Sequence, residues 1–429
     1  MRVIIWWYLL SKISKMIKNK GIKNKMRIKI SKTSSTIIIH KAKVFRTMLI
    51  LVIVICLMPP QGLLVMIPVL NIVWKYLIIL GIFISVIWYL YRIHRSKRIG
   101  KSLIVISMYF ITVIILALQP GSSFFSCIAN YLPLFSGLLL FESEQDNIEI
   151  LFSVIHSYLF VLIIINLVCL LLYPNGMYKS ISITEYELNW FLGYKSSFQF
   201  YLYPAFILSF IFLNYSKKQI ISSLIVVLCL LEACLGKNYM LLVVLIVCIF
   251  LYYFINVDKL KIFNPFTCIV TLIIINIGLV SMYLLNIEFV NILLTKILNK
   301  SVTLSGRAII WACTLINIHK KPWFGYGTLS IEQRYQTFHG VPHSHNQILQ
   351  VLFEGGGIGL IVYLIIIFYV FVKLSKTFYL KTTKIILIAI FGLFIMGTVE
   401  ILTHQQDVLI WMIFYLGCYS EKIDNQLFS

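Results

Sequence analysis

From residue 47 to residue 418 the chain alternates long apolar runs with short polar interruptions. Runs of about 17 to 25 apolar residues match the helix length that crosses bilayer hydrocarbon, and shorter runs cross when neighbouring helices shelter them. The pattern predicts twelve helices, over 47–68, 72–91, 102–118, 126–141, 150–172, 198–214, 220–235, 239–256, 266–286, 347–372, 385–401 and 405–418. The fourth and the twelfth are short and carry Pro133 and Asp407, so whether they span fully stays open. The expected fold class is all-α, a polytopic membrane protein with about 12 transmembrane helices and a large late extracytoplasmic loop containing short surface helices.

Composition agrees with a bilayer as solvent. Of 429 residues, 60% are hydrophobic and 12% charged, whereas soluble domains carry about 25% charged residues. A cytosolic enzyme, a disordered chain and a secreted disulfide scaffold are thereby excluded. Lys and Arg number 37 against 15 Asp and Glu, a net charge of +22. In a soluble protein that excess would suggest nucleic acid; in a membrane protein it marks the loops that face the cytoplasm. With a cytoplasmic N-terminus, 27 of the 37 Lys and Arg fall on the inner side of the predicted topology. Only the acidic stretch ESEQDNIE dissents, and acidic residues count for little in this rule. No nucleic-acid partner is expected. The nine cysteines lack CxxC spacing and lie almost all in apolar runs, where they act as small hydrophobes; Cys313 falls outside the membrane.

The organisation expected is a basic cytoplasmic arm over 1–46, helices one to nine over 47–286, a large extracytoplasmic loop over 287–346, and helices ten to twelve with a short tail over 347–429. The arm is too rich in Lys and Ser to bury a core, and Met16 and Met26 are alternative starts. The helix after it acts as an uncleaved signal anchor. Long loops tend to carry function, which directs attention to 173–197 and above all to 287–346.

That late loop opens with EFVNILLTKILNKSV, apolar at helical spacing, and continues into SGRAIIWACTLINIHKKPWFGYG. Two helices lying along the membrane surface are expected. In the second, Ser305 is a good N-cap, Arg307 stands in the first turn, Trp311 follows on its side, and Pro322 ends the helix. An arginine beside the free N–H groups of a helix start suits phosphate or diphosphate, although snorkelling to lipid headgroups explains it equally. Gly325 and Gly327 in PWFGYG permit a tight path near a ligand or another backbone, or a turn with aromatic anchors. VPHSHNQILQVLFEGGGIGL then puts His343, His345 and Asn346 at the start of the tenth helix. A histidine at a membrane boundary can serve as general base. Two residues apart, the pair cannot share one helix face, so one is expected to reach inward. A metal site would need more ligands than these. Glu354 orients a histidine or caps a neighbour, and the glycines after it allow close helix packing.

Taken in order, S-G-R-x-x-x-W, P-x-x-G-x-G, H-S-H-N-x-x-L-Q and E-x-G-x-x-G over residues 305–360 resemble the outer-loop region of the O-antigen ligase and polysaccharide polymerase family, Wzy-type. The remainder is similar in hydropathy alone. The resemblance implies a multi-pass glycosyltransferase of the bacterial plasma membrane, active on its outer face, that takes sugar chains from an undecaprenyl diphosphate carrier. It implies no cofactor and no metal. Membrane lipids, a flippase and a chain-length regulator are the partners it brings to mind. Arg307 matches the family's loop arginine, and His345 the histidine near the acceptor. L-G-K-N offers Lys237, and G-Y-K-S-S offers Lys195, as further cations at helix ends near the diphosphate, although a lysine lacks the arginine fork. Headgroup-facing helix ends explain both lysines as well.

His156, Glu232 and Glu400 lie in or near apolar helices, where a charge costs about 2.5 to 3.5 kcal/mol on insertion scales. Structural polar contacts are expected for them: a hydrogen-bonded neutral His156, Glu232 near Lys237, and Glu400 near His404 and Asp407. The reaction expected is attack of a glycan hydroxyl on the anomeric carbon of the lipid-linked donor with inversion, Arg307, Lys237 and Lys195 holding the diphosphate and His345 taking the proton. It would serve capsule, exopolysaccharide or O-antigen biosynthesis. Ligase-type transfer to another acceptor, and transport of a lipid-linked oligosaccharide, are the alternatives.

Overall fold

The computed structural model describes residues 42–181, 186–214, 218–256, 264–284 and 307–428. Two units divide at Leu49. In the first, Met1–Leu49, residues 42–49 are helical, and the rest of the expected basic arm lies outside the described residues. The second, Ile50–Ser429, holds every other element.

Residues 50–57 are helical, and the helix stops before Pro59 and Pro60. Proline lacks the N–H that would continue the ladder and pushes its predecessor out of the α region. The freed carbonyls are caught by side chains: Tyr158 Oη donates to Met58 O at 2.6 Å and Tyr201 Oη to Pro59 O at 2.5 Å. The expected first helix is therefore broken. A short α1 (Gln61–Met66) follows, and α2 (Pro68–Ser96) begins earlier than expected because proline is well tolerated in a helix's first turn.

Next come α3 (Lys101–Leu116), α4 (Phe124–Glu144) and α5 (Ile148–Leu172). The helix α4 is longer than expected and takes in part of the acidic stretch read as a loop. Its Glu142 and Glu144 are fully buried and matched: Arg92 Nη1 bonds Glu142 Oε1 at 2.8 Å, Tyr419 Oη bonds Glu142 Oε2 at 2.7 Å, and Trp88 Nε1 bonds Glu144 Oε1 at 2.7 Å. Charges this deep persist only when paired. Of the acidic residues that dissented from the charge rule, Glu142 thus pins Arg92 at the start of the basic 92–101 segment.

The 173–197 segment adds a small sheet to an otherwise helical fold. It forms a three-stranded antiparallel sheet of β1 (Tyr178–Ile181), β2 (Tyr186–Trp190) and β3 (Gly193–Tyr194), with Tyr178 opposite Asn189 and Asn189 opposite Tyr194. The sheet is tied to the helices by Asn166, which accepts from Leu192 N at 3.0 Å and donates to Glu232 Oε2 at 2.8 Å. Glu232 therefore serves Asn166 rather than Lys237. His156 is hydrogen-bonded as expected, to Ser209 Oγ at 3.0 Å.

A 3-10 turn (Lys195–Phe198) leads into α6 (Gln199–Leu213), followed by α7 (Gln219–Leu235), α8 (Tyr239–Phe254) and α9 (Pro265–Leu284). The late loop contributes α10 (Arg307–Lys320) and α11 (Ile331–Thr337); its expected first surface helix, over EFVNILLTKILNKSV, lies outside the described residues. Then come α12 (Gln347–Ser375), α13 (Lys381–Gly397), α14 (Val408–Leu416) and α15 (Ser420–Phe428). Among the described residues five helices are long and apolar enough to cross a membrane, and four shorter apolar ones accompany them. The expected twelfth span has only the nine residues of α14. At about 1.5 Å per residue that is under half the hydrocarbon thickness of about 30 Å, and each of its residues is buried against other helices.

The late loop is more than a connection. Ile310, Trp311, Leu329 and Phe338 form an apolar cluster with Leu349 and Phe353 of α12. A backbone exchange locks the loop there. The helix α12 is broken at Gly356 (φ 58°, ψ −158°), which frees carbonyls on one side and N–H groups on the other. Tyr326 N donates to Phe353 O and Gly327 N to Glu354 O, each at 2.9 Å, while Gly357 N donates to Pro322 O at 2.7 Å and Ile358 N to Trp323 O at 3.2 Å. A helix can break at membrane depth only when protein re-satisfies its backbone in this way. Gly325 and Gly327 both have positive φ, and a Cβ on Gly325 would stand 2.6 Å from Glu354 C. The GYG and EGGG motifs are two halves of one joint, and Gly327 also lies against the end of α3, where an added Cβ would stand 2.7 Å from Leu116 O.

Candidate active site

The H-S-H-N sequence forms a rigid turn. Asn346 caps α12, accepting from Leu349 N at 3.0 Å, while its amide donates to Asn276 Oδ1 at 3.1 Å and Thr398 O at 3.0 Å. Ser344 is fully buried. Its carbonyl accepts from Trp311 Nε1 at 2.9 Å and its N–H donates to Gln350 Oε1 at 3.0 Å. Gln350 in turn donates to Glu354 Oε1 at 2.8 Å, and Tyr131 Oη donates to Glu354 Oε2 at 2.6 Å. Glu354 thus supports the turn through Gln350 and touches no histidine. The result is a His345 held at φ 51°. A non-glycine residue pays for that conformation, and the surrounding bonds supply the compensation.

This backbone decides where the imidazoles point. His343 is the more deeply buried of the two, and both face Glu400, with His343 Nε2 at 3.5 Å and His345 Nδ1 at 3.4 Å from Glu400 Oε1. They can do so because they stand in a turn, where helical geometry does not separate them. Their ring centroids are 4.1 Å apart, and His404 packs on His343 at 4.8 Å. His404 is backed by Asp407, whose Oδ2 accepts from His404 N at 2.7 Å and lies 3.4 Å from His404 Nδ1. Glu400, His404 and Asp407 stand between α13 and α14. Gln347 fixes that segment by accepting from Leu402 N at 2.6 Å. Glu400 makes polar contacts, as expected, but with His343 and His345 of the distant turn. The sequence signal was E-x-x-x-H-x-x-D, placed just past an apolar helix.

The electrostatics follow from burial and neighbours. Burial alone would raise the Glu400 carboxyl, but His345, His343 and His404 outweigh it and hold it well below the usual carboxylate range. Burial, then the charges of His345 and His404, push His343 well below an ordinary histidine, so it stays neutral. For His404, burial acts downward and Asp407 more than compensates, leaving it raised. His343 Nδ1 accepts the backbone N–H of His345 at 3.3 Å, which assigns the His343 proton to Nε2, facing Glu400. His345 Nδ1 faces the same carboxylate at 3.4 Å. The His345 side chain is 23% exposed, that of His343 9%, so His345 is the member of the pair that a substrate can reach.

His343, Glu400 and His404 offer ligand atoms within 4.8 Å of one another, which spacing in the sequence did not reveal. A metal needs the unprotonated nitrogen of each histidine, yet the His343 nitrogen that faces the cluster carries the proton. The arrangement as it stands supplies two ligands, fewer than the three protein ligands of a catalytic zinc site.

The other expected residues lie on α10, after α7, before α6 and in the late loop. Arg307 stands one turn before Trp311 on α10 and has no ion pair among the described residues; Ser305, its expected N-cap, lies outside them. Lys237 takes a left-handed φ of 55° after α7. It adjoins Lys195, because Asn238 Nδ2 donates to Lys195 O at 2.7 Å. The segment that follows Lys195 reaches the cluster through Phe200, whose ring lies 5.6 Å from that of His404. Trp311 proves to be a hydrogen-bonding support of the histidine turn, and Cys313 is free and half-buried on the same helix. Gly325 and Gly327 belong to the loop joint and not to the cluster.

Residues 204–364 match a family model described as O-antigen ligase. No curated protein matches the chain. The matched segment runs from α6 into α12 and includes Lys237, Arg307, His343 and His345, whereas Glu400 and His404 lie beyond it. A mostly helical chain with several membrane-length apolar helices, carrying this segment and the histidine turn within it, is similar over residues 204–364 to the O-antigen ligase family.

Proposed function

We propose that the protein is a polysaccharide polymerase that moves a glycan from a polyprenyl diphosphate-linked donor, undecaprenyl in a bacterial membrane, to a lipid-linked repeat unit at the outer face. The observation that carries this reading is the His345–Glu400 contact of 3.4 Å beneath a partly exposed imidazole, in a chain similar to a family whose chemistry is glycan transfer. The carboxylate orients His345 with Nδ1–H toward itself. Nε2 then takes the proton of the attacking hydroxyl as the new glycosidic bond forms and the bond to the diphosphate breaks. Such general-base help contributes about 10²- to 10⁴-fold.

The diphosphate is already a good leaving group, so the protein's remaining task is to neutralise its growing charge. Arg307 supplies a planar fork for it, with Lys237 and Lys195 as adjoining point charges. Attack from the opposite side inverts the anomeric centre. Partners in the membrane, namely a flippase that delivers the donor and a regulator of chain length, fit this role.

Transfer to a different acceptor, as in a ligase, uses the same machinery and is favoured by the description of the matched model. Purified protein incubated with lipid-linked oligosaccharide separates the readings. Longer glycan on the same carrier marks a polymerase, and glycan appearing only on an added second acceptor marks a ligase. A donor left unchanged under both conditions refutes glycan transfer.

A further inference from the structure

Two residues outside the ordered motifs, Gln347 and Trp411, hold the backbone that carries Glu400. Glu400 does not hang free from the end of α13. Its Oε1, the oxygen that faces both histidines, also accepts from Ile401 N at 3.2 Å, so the carboxylate goes where the 398–402 backbone goes. That backbone is bracketed two residues to either side of Glu400. Asn346 Nδ2 donates to Thr398 O at 3.0 Å, and Gln347 Oε1 accepts from Leu402 N at 2.6 Å. Both brackets come from the two residues that directly follow His345.

A closed ring results. It runs from His345 through Asn346 to Gln347, crosses the hydrogen bond to Leu402, returns through Ile401 to Glu400, and closes over 3.4 Å at His345 Nδ1. Within this ring the Gln347–Leu402 bond stands opposite the histidine–carboxylate contact, and opening it would free that contact to lengthen. From the other side, Trp411 Nε1 donates to Leu402 O at 2.7 Å, so both backbone polar groups of Leu402 are gripped. The Trp411 ring is itself wedged on α3, with centroids 5.4 Å from Tyr109 and 5.1 Å from Phe110. Gly397 lets the end of α13 come this close to α12, since an added Cβ would stand 3.3 Å from Gln347 Cβ.

Packing alone is a poor reason for a glutamine here. The side chain is buried, and its Nε2 has no hydrogen-bond partner among the described residues. An unmet buried donor costs stability, and the bond to Leu402 N is what the side chain supplies in return. We infer that Gln347 is a positioning residue of the glycan-transfer site, setting through Leu402 the distance at which Glu400 meets His345, with Trp411 holding the Leu402 carbonyl against it. The assignment rests on the proposed roles of His345 and Glu400. Neither Gln347 nor Trp411 touches the reactants; both act through the carboxylate. Misplacing a reacting group by about 1 Å can cost on the order of 10²-fold in rate.

The test combines turnover with a spectroscopic readout on the full chain in detergent. Q347M keeps length and burial but removes the acceptor, and W411F keeps a ring but removes the donor. Each should lower turnover of lipid-linked oligosaccharide by about tenfold or more with KM little changed, because reactant binding is untouched. In an E400A background either substitution should add less than about a twofold further loss, since its effect passes through the missing carboxylate. A merely structural role predicts losses that multiply. The imidazole nitrogen NMR signals of His345, assigned by their absence in H345A, should shift in Q347M in the same direction as in E400A. Wild-type turnover in Q347M, multiplying losses with E400A, or His345 signals that stay at their wild-type positions overturn the assignment. If Q347M melts early, W411F carries the same comparisons, and the same results overturn it. A wild-type protein that leaves the oligosaccharide unchanged discards glycan transfer, and the NMR comparison then still decides whether Gln347 sets the His345–Glu400 contact.

Discussion

His345 Nδ1 lies 3.4 Å from Glu400 Oε1, although one residue stands in the turn before α12 and the other follows α13. In the proposed transfer that pairing directs the imidazole as a base. His345→Ala should leave the protein folded in the membrane and reduce polymer formation by about 10²- to 10⁴-fold. Glu400→Gln should lose a smaller factor. Because the two act as one unit, the double variant should be little worse than His345→Ala alone. Strictly multiplicative losses in an assay of chain length would separate their roles.

Arg307 stands in the first turn of α10 with its guanidinium unpaired among the described residues. If it grips the diphosphate through two parallel hydrogen bonds, Arg307→Lys keeps the charge and loses the fork. Turnover should fall by about tenfold or more, with the melting temperature unchanged. An Arg307→Lys protein as active as the wild type would rule out the bidentate contact.

Trp311 is fully buried and donates to Ser344 O at 2.9 Å. Trp311→Phe keeps an aromatic ring but strands that carbonyl, at a cost of about 1 to 3 kcal/mol. Thermal unfolding should report that loss. Turnover should drop as well, because Ser344 separates the two histidines of the turn. A destabilised but fully active variant would mean that Trp311 supports packing alone.

His343 is held neutral, well below an ordinary histidine, by burial and the neighbouring His345 and His404. The unfolded chain protonates it near about pH 6.5 while the folded chain does not. The unfolded state therefore binds the extra proton, and stability declines as pH falls below that value, by up to about 1.4 kcal/mol per pH unit. His404 is raised and works in the opposite direction, gaining stability as pH falls through its folded pKa. His343→Gln removes the first contribution alone. Its melting temperature should accordingly fall less than that of the wild type between pH 7 and pH 5, and parallel curves would contradict the assignment.

Gly356 holds φ 58° and ψ −158°, and an added Cβ would stand 2.3 Å from the backbone carbon of Trp323. Only glycine occupies that region readily. Gly356→Ala should cost several kcal/mol and release the loop from α12, read as rapid proteolysis near residue 323. Gly278→Ala is the control, since nothing lies within 4 Å of its added Cβ. Equal stability of the two variants would show the loop joint to be dispensable.

Hydropathy alone identified the apolar helices and the late loop, because a helix must satisfy its own backbone in lipid and needs a run of apolar residues to do so. The ordered motifs likewise marked Arg307, His343, His345 and Asn346, whose chemistry is carried by neighbours in the chain. Three features escaped that reading, each for a reason of distance. The Pro59–Pro60 break survives only because Tyr158 and Tyr201 reach its carbonyls. The glycine motifs pair with each other across the fold, so neither shows its purpose by itself. Glu400, His404 and Asp407 follow an unremarkable apolar helix, and only the packing of α13 and α14 against the start of α12 brings them under the histidine turn. Local periodicity reports how each segment meets its solvent. Which side chain orients His345 is a long-range contact, and tertiary packing alone decides it.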